Sequence, residues 1–201
     1  MTLLVLADVK PVLNMDPNDT SHDDELQTYI DGVIPVVEHY TGPLASTAYD
    51  EFYDGGSVEI VLRHTPVLTV TLVTQMYHGN VLQTLTEQPQ DGSTAVDGFG
   101  YSLDKTSGIM TRRTVGLGST FAVGKRNVHV TYTAGYATLP ANLKRAMLDL
   151  LKFNYDPQRG PRRNLGRPMA GSEDAQPLLG YWIPNRVVEQ LGGNIRTPEF
   201  G

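Results

Sequence analysis

The stretch Val128-His-Val-Thr-Tyr-Thr-Ala-Gly-Tyr-Ala-Thr-Leu-Pro140, which continues into the run 143–155, decides how this chain is organised. Its first half predicts a β-branched strand that ends at Ala134-Gly135. Pro140 suits the first turn of a helix, because its missing N–H would have no intrahelical partner there. The apolar stripe of that helix consists of Leu143, Ala146, Met147, Leu150 and Leu151. The chain therefore passes from strand to helix at this point.

A second amphipathic helix is predicted near the N-terminus, after a short helix over 6–13. Polar residues at 19–21 can cap it, and the acidic residues at 23–25 suit the positive end of its dipole. Its apolar stripe consists of Leu26, Tyr29, Ile30, Val33, Val37 and Tyr40. Thr41-Gly42-Pro43 supplies a stop, and Pro35 predicts a kink because it removes an internal hydrogen bond.

Between these helices the pattern changes to a period of two residues, as in the segment 58–63. A hairpin is predicted to turn at His78-Gly79-Asn80, and a turn at 105–108 separates two further strands. Asp91-Gly92 and Asp97-Gly98 mark additional turns. We expect roughly five to seven short strands, with turns at the spacing of a sandwich or a small barrel.

The fold class that follows is α+β, in which a helical core brackets an antiparallel β insert and an extended C-terminal tail follows. The expected boundaries are 1–43 for the N-terminal helices, 44–134 for the β-rich insert, 135–156 for the returning helix and 157–201 for the tail. Two helices that bracket a β insert indicate a module whose helices pack on each other or on neighbouring copies. That layout favours an assembly component over an enzyme.

Composition restricts the possible functions. The 201 residues have room for one domain with appendages. The chain contains no cysteine, so neither disulfides nor thiolate metal sites are expected. No run of 18 or more apolar residues occurs, and we therefore expect a soluble protein that folds in a cytoplasm without a membrane partner.

The net charge of −6 is unevenly distributed along the chain. Residues 1–100 contain 2 basic and 15 acidic side chains, whereas residues 101–201 contain 14 basic and 7 acidic ones. Either these charges are solvated faces, or oppositely charged surfaces meet between subunits or with a partner. An ordinary nucleic-acid-binding protein would be more basic overall.

The tail combines low complexity with one apolar segment. Pro and Gly account for 13 of its 46 residues after Tyr155, which is typical of low-complexity chain. The segment 178–184 contains the single tryptophan, and Asn185 can cap a short helix over 186–191 that ends at Gly192-Gly193. This apolar segment either docks on a partner, since aromatic anchors often dominate binding, or packs on its own domain.

The sequence shows little sign of catalysis or metal binding. Residues 22–25 point in different directions on a helix, so helix capping explains them better than a metal site does. The five histidines lack the paired spacing of zinc-binding helices, and the Gly-x-Gly segments neither follow strands nor open helices. We expect no enzyme activity, no cofactor and no bound metal.

Several segments, in this order along the chain, resemble the head–tail connector proteins, or adaptors, of long-tailed bacteriophages. The resemblance covers about residues 2–155. It rests on Leu6-Ala-Asp-Val-Lys10, the loop 16–19, Val37-Glu-His-Tyr-Thr-Gly42, Leu62-Arg-His-Thr-Pro-Val-Leu-Thr-Val70, and Tyr132-Thr-Ala-Gly-Tyr136 with Pro140. In addition, residues 180–191 are similar to the tails of adaptors from actinobacterial phages.

This resemblance implies a structural virion protein in the neck, between capsid and tail, assembled in the host cytoplasm. It implies a ring, usually of twelve subunits, that sits beneath the portal protein and continues the DNA channel toward the next neck or tail-completion protein. Genomic DNA would pass through without sequence-specific binding. We expect acidic residues of the N-terminal half to line the channel, because a basic lining would hold the phosphates.

The resemblance also assigns roles to particular residues. The ring interface would be formed by Leu26, Tyr29, Ile30, Val33, Val37, Leu143, Met147 and Leu150. The residues that would dock on the portal are Tyr181, Trp182, Ile183, Arg186, Val187 and Leu191.

Two alternatives remain open on the sequence. The β-rich region could recognise a protein or a glycan, and a glycan site would require exposed aromatic platforms among Tyr49, Phe52, Tyr53, Tyr77, Phe99 and Tyr101. Otherwise the chain could be a neighbouring neck component, a stopper or a tail-completion protein.

Overall fold

The computed structural model describes residues 3–89, 99–114, 117–155 and 183–192. Within these ranges it contains the helices α1 (Leu6–Val12), α2 (Asp23–Thr41), α3 (Ala141–Tyr155) and α4 (Asn185–Leu191). The strands are β1 (Thr47–Tyr53), β2 (Glu59–Val61), β3 (Val67–Tyr77), β4 (Asn80–Thr84), β5 (Thr86–Glu87), β6 (Phe99–Leu103), β7 (Ile109–Thr114), β8 (Leu117–Gly118) and β9 (Val128–Ala134). The predicted α+β class is confirmed.

The chain divides into two compact units. The β unit comprises Gly42–Thr138, and the helical unit comprises Thr2–Thr41 together with Leu139–Gly201. The chain therefore leaves the helical unit after α2 and re-enters it just before α3. The turns predicted at Asp91-Gly92 and Asp97-Gly98 lie outside the described residues.

Helix α2 starts slightly later than its polar flank suggests. His22 is the residue at its N-terminal boundary, and the His22 carbonyl accepts a hydrogen bond from the Leu26 amide at 2.9 Å. The side chain of Asp19 instead accepts a bond from the Ser21 amide at 2.9 Å, so residues 19–21 form their own turn and do not cap the helix. The helix continues through Pro35 and ends before Gly42, whose φ of 79° matches the predicted left-handed stop.

Helix α3 is the central element of the helical unit, because it contacts α1, α2 and α4. One side of each helix is buried with the others. The buried apolar residues are Leu4, Val9, Leu26, Ile30, Val33, Val37, Leu143, Ala146, Met147, Leu150, Leu151, Tyr155, Val187 and Leu191. The helical periodicity of both stripes therefore corresponds to a core within one protomer.

Three lysines attach α1 to its neighbours. Lys10 is buried, and its Nζ lies 2.7 Å from Asp23 Oδ1 and 2.8 Å from the carbonyl of Asp19. Lys144 of α3 pairs with Asp8 at 2.8 Å, and Lys152 donates to the carbonyl of Val12 at 3.0 Å. These bonds tie a helix of only seven residues to α2 and α3, which compensates for its short length.

The β unit consists of two sheets, with strand orders β1-β9-β3-β4 and β2-β7-β6-β5, and β8 pairs with β7. The predicted hairpin is present between β3 and β4, where His78 and Gly79 have φ angles of 48° and 80°. The strands on either side of the 105–108 turn are the antiparallel pair β6 and β7. Both turns follow from local sequence, because glycine occurs where the backbone needs positive φ.

Two features of the sheets differ from the prediction. The described residues form nine strands, because β2, β5 and β8 contain only two or three residues each and leave little periodic signal. The pair β5 and β6 is parallel, whereas the insert was expected to be antiparallel throughout. Parallel neighbours need a longer connection than a hairpin does, and the interval 88–98 provides it.

A single cluster of buried side chains contains residues from both sheets. Strand β9 contributes every second residue of its length to this cluster: Val128, Val130, Tyr132 and Ala134. Gly135 ends the strand with a φ of 112°, and a Cβ atom there would lie 2.2 Å from the carbonyl oxygen of Ala45. Glycine is therefore required at this position for both backbone conformation and space.

Candidate assembly surfaces

The residues predicted to form the ring interface lie inside the helical unit of one protomer. Leu26, Val33, Leu143, Met147 and Leu150 have no exposed surface, and Ile30 and Val37 are 1% exposed. Tyr29 is half-buried and packs edge-on against Tyr155, with ring centroids 5.4 Å apart. In this structure these side chains hold α2 and α3 together.

The residues predicted to dock on the portal fall into three groups. Tyr181 and Trp182 lie outside the described residues, and Ile183 is half-buried just ahead of α4. Val187 and Leu191 are each 1% exposed, on the side of α4 that packs on α3. Arg186 is exposed. The described part of the tail thus packs on its own helical unit. Packing on its own domain and docking on a partner were the two alternatives that the sequence left open.

Asp149 of α3 organises the contact with α4. Its carboxylate accepts a hydrogen bond from Gln190 Nε2 at 2.9 Å and lies 3.4 Å from the Arg186 guanidinium. Arg145, one turn earlier on α3, contacts the other carboxylate oxygen at 3.2 Å. Asn142 Nδ2 donates to the carbonyl of Gln190 at 3.1 Å. A helix of seven residues is therefore held by two apolar anchors and a polar network around one carboxylate.

The described part of the helical unit is more acidic than that of the β unit. Its described residues contain ten acidic and five basic side chains, whereas those of the β unit contain six of each. All five basic side chains bind a carboxylate or a carbonyl within the unit. Each unit combines segments from both halves of the sequence, so the charge difference between the halves is not the difference between the units.

Helix α2 presents this acidity in a regular pattern. Asp24, Asp31 and Glu38 recur every seven residues, a spacing that brings them to one side of a helix. Asp24 and Asp31 are exposed, and Glu38 is half-buried. Leu26, Ile30, Val33 and Val37 occupy the buried side of the same helix. The outer side of α2 is thus an acidic surface, which we call the α2 acidic face (Asp24, Asp31, Glu38).

The β unit contains a partly buried polar network that the sequence analysis did not predict. Glu51 of β1 accepts hydrogen bonds from the hydroxyls of Tyr53 at 2.5 Å and Tyr132 at 2.7 Å. The Tyr53 and Tyr132 oxygens in turn accept bonds from the amides of Arg63 at 3.0 Å and His64 at 3.2 Å. The network thereby anchors the segment between β2 and β3, which contains the cis Thr65–Pro66 bond, on the sheet.

The electrostatics of this network keep Glu51 ionised. Burial opposes ionisation, but the hydrogen bonds from Tyr53 and Tyr132 and the nearby His64 and Arg63 lower the pKa of Glu51. Burial and the neighbouring Glu51 carboxylate raise the pKa of Tyr53 to about 12. The pKa of Tyr132 is also raised, by burial and by its bonds to Tyr53 and Glu51. Both tyrosines are therefore neutral donors at pH 7, and the group is structural.

The aromatic residues of the alternative binding module do not form one platform. Tyr53 and Tyr101 are buried, and Tyr49 and Phe52 stack on His64 and His129 at centroid distances of 3.8 and 4.5 Å. Tyr77 and Phe99 are 63% and 51% exposed, but they belong to different sheets. Other exposed apolar residues of the β unit include Val81 and Leu82 beside Tyr77.

Neither a metal centre nor a membrane span is found in the described part of the chain. Within residues 3–89, 99–114, 117–155 and 183–192, no three His, Asp or Glu side chains converge as metal ligands. None of the helices in the same ranges has the length and apolar character needed to cross a bilayer.

The sequence matches no protein-family model and no curated protein. The structure, in contrast, is similar to solved chains of gene transfer agent (GTA) particles. A chain in the neck of an empty GTA particle, computed with C6 symmetry, is 20% identical with a TM-score of 0.55 over 99% of this chain and 92% of that one. A chain in the neck of a native particle, computed with C12 symmetry, is 18% identical with a TM-score of 0.51 over 100% and 96%. A chain of the native GTA virion is 18% identical with a TM-score of 0.51, over 98% of this chain and 95% of that one. The protein therefore shares its fold, over nearly its whole length, with chains of these GTA particles.

Proposed function

We propose that this protein is a structural virion protein of the neck, an adaptor that forms a ring beneath the portal and extends the DNA channel between capsid and tail. The observation that carries the proposal is the shared fold with two GTA neck chains over at least 99% of this chain. The sequence resemblance to phage adaptors leads independently to the same class. In this proposal the ring has twelve subunits, is assembled in the host cytoplasm and contacts the next neck or tail-completion protein on its far side.

In such a ring the predicted interface residues act from within each protomer. Leu26, Val33 and Leu143 hold α2 and α3 in a fixed arrangement, so the exposed sides of those helices can meet neighbouring copies in a constant register. The tail then serves the portal: α4 is anchored through Val187 and Leu191, which positions the preceding Tyr181, Trp182 and Ile183 for docking.

The α2 acidic face is the proposed channel lining. Acidic side chains repel DNA phosphates and allow the genome to slide, whereas a lining of lysine and arginine would retain it by releasing counterions. The helical unit supports this assignment, because its five described basic side chains are already bound within the unit. Among the described residues of the helical unit, every basic side chain is thus already paired and none is left over to bind DNA phosphates.

The test of the proposal is the mass of the purified protein in solution, alone and mixed with portal protein, measured by light scattering over a concentration series. A particle of about twelve times 22.1 kDa, formed alone or only with portal, supports the adaptor. A strict monomer that does not bind portal contradicts it. A ring that binds a different neck protein and not the portal would identify a stopper or tail-completion protein.

A further inference from the structure

The connection between α3 and α4 is much longer than their contact requires. The polar bonds of α4 reach Asn142, in the first turn of α3, and Asp149, near its middle, while α3 itself ends at Tyr155. An α-helix of 15 residues is about 22 Å long, so about seven extended residues would return the chain from its end to its start. Helices that pack as neighbours are commonly joined by two to eight residues. Here 27 residues, 156–182, separate the two described segments.

We propose that in the assembled ring α4 docks on α3 of the neighbouring copy, so that each subunit is clamped by the tail of the next. This inference rests on the proposed ring. The docking site is the one described above, which comprises the apolar contact of Val187 and Leu191 and the polar network of Asn142, Asp149 and Gln190. A symmetric ring presents the same site on every subunit, so exchange keeps each of these contacts unchanged.

The length of the connection permits the exchange. A chain of 27 residues spans at most about 90 Å, and contacting units of about 100 residues each lie roughly 30–40 Å apart. The entropy cost of closing a loop rises only slowly with its length, so the longer path to a neighbour is not strongly disfavoured. Within a ring, the neighbour's site is therefore available at high effective concentration.

The chemistry of α4 and of the connection also suits a clamp. A helix of seven residues has little stability of its own, and α4 is therefore expected to remain helical only while docked. The connection contains Arg159, Arg162, Arg163 and Arg167 without an acidic residue over 157–172. The described helical unit carries five more acidic than basic side chains, so its field favours contact with a basic segment.

The test uses the absence of cysteine from the chain. Asn142→Cys and Gln190→Cys are introduced together, rings are purified, and a short bismaleimide is added before denaturing electrophoresis. Exchange is expected to give a ladder of covalent species that extends beyond the dimer. A product of monomer mass, with the internal link identified by peptide mass spectrometry, would overturn the proposal. Absence of any link in the ring would also overturn it, because α4 would then have left the site.

Two further variants keep the result interpretable. Arg145→Cys with Arg186→Cys tests the same contact through a second exposed pair, in case the first variant does not assemble. Glu59→Cys with Thr111→Cys, which are hydrogen-bonded within the β unit, must give only internal links and serves as the matched control. Mixed rings of a tagged Asn142→Cys chain and an untagged Gln190→Cys chain should yield a linked heterodimer under exchange and none under self-docking.

Failure of this inference is distinguishable from failure of the proposed function. Rings of the double-cysteine variants that give only internal links leave the adaptor proposal intact and remove the exchange. A wild-type protein that forms no ring, alone or with portal, removes both.

Discussion

Glu51 shows how a single carboxylate joins distant parts of the β unit. It binds Tyr132, which is 81 positions later in the sequence, and Tyr53, two positions later on the same strand. The two tyrosines hold the backbone of Arg63 and His64 in turn. Two tyrosine hydroxyls and, at 3.4 Å, the Arg63 guanidinium donate to this carboxylate. Loss of its charge would leave these donors without a strong acceptor.

We expect Glu51→Gln to destabilise the β unit by about 1–3 kcal/mol at pH 7, since a partly buried hydrogen-bond network loses its ionised acceptor. The folded-state pKa of Glu51 is lowered, so its stabilisation is present above the unfolded pKa of about 4.3 and is lost as pH falls through the folded value. Urea unfolding at pH 7 and pH 3 should therefore show a smaller pH dependence in the variant. Glu59→Gln, on an exposed strand position, is the control.

Gly135 provides a second prediction at the scale of single residues. We expect Gly135→Ala to destabilise the β unit by about 2–4 kcal/mol, for two reasons. The positive φ of this residue is unfavourable for alanine, and the added methyl group would collide with the Ala45 carbonyl. Gly79→Ala separates the two causes: its φ is 80°, but a Cβ atom there has no neighbour within 4 Å. Equal losses in the two variants, measured by thermal and urea unfolding, would contradict the steric part of this argument.

At the scale of elements, α2 has two sides with different roles. Its buried side forms the core with α3, and its outer side is the α2 acidic face. Both sides follow from the same helical period, and the seven-residue spacing of Asp24, Asp31 and Glu38 could be read from the sequence. The acidic character of the outer side of α2 therefore comes from the pattern of the whole helix and not from one residue.

We expect Asp24→Lys with Asp31→Lys to make the assembled ring retain DNA, because four units of positive charge are added where phosphates pass. Filter binding with linear duplex DNA should detect retention at low salt that is lost as salt rises. Glu59→Lys with Glu87→Lys makes the same change of charge on exposed positions of the β unit. Equal retention by this control, or retention by the wild-type ring, would contradict the proposed lining.

At the scale of the whole molecule, the two units are formed from discontinuous segments. Elements that are adjacent in the sequence, such as α2 and β1, belong to different units, while α2 and α3 belong to one. The tail adds α4 to that same unit after a long interval. Assembly then depends on segments at both ends of the chain.

Deletion of residues 178–201 tests the role of the tail. We expect both units to remain folded, because most of the buried apolar side chains of the helical unit lie on α1, α2 and α3. Attachment to portal should weaken, since the proposed docking segment is removed. Circular dichroism and co-sedimentation with portal measure the two effects. Unfolding of the truncated protein, or undiminished portal binding, would contradict the proposal.

The local elements of this protein could be read from its sequence. The stop at Gly42 and the hairpin at His78-Gly79 depend on positive φ within a few residues. The short helix predicted over 186–191 is also present, but it begins at Asn185, and Pro184 occupies the N-cap position that was expected for Asn185. Such signals act over short distances, so neighbouring residues are sufficient to specify them. Short strands such as β5 and β8 have too few residues to produce a periodic pattern.

The tertiary structure alone decided which elements meet. The stripes on α2 and α3 predicted an apolar contact, but only the folded chain identifies that contact as the core of one protomer. The Glu51 network and the docking of α4 on Asp149 join residues far apart in the sequence, and no local pattern relates them. By itself the sequence determined the elements and their α+β class, because periodicity and turn chemistry are local. Which elements contact each other, and which side chains are buried, depended on packing between distant segments, because each apolar face can be covered in more than one way.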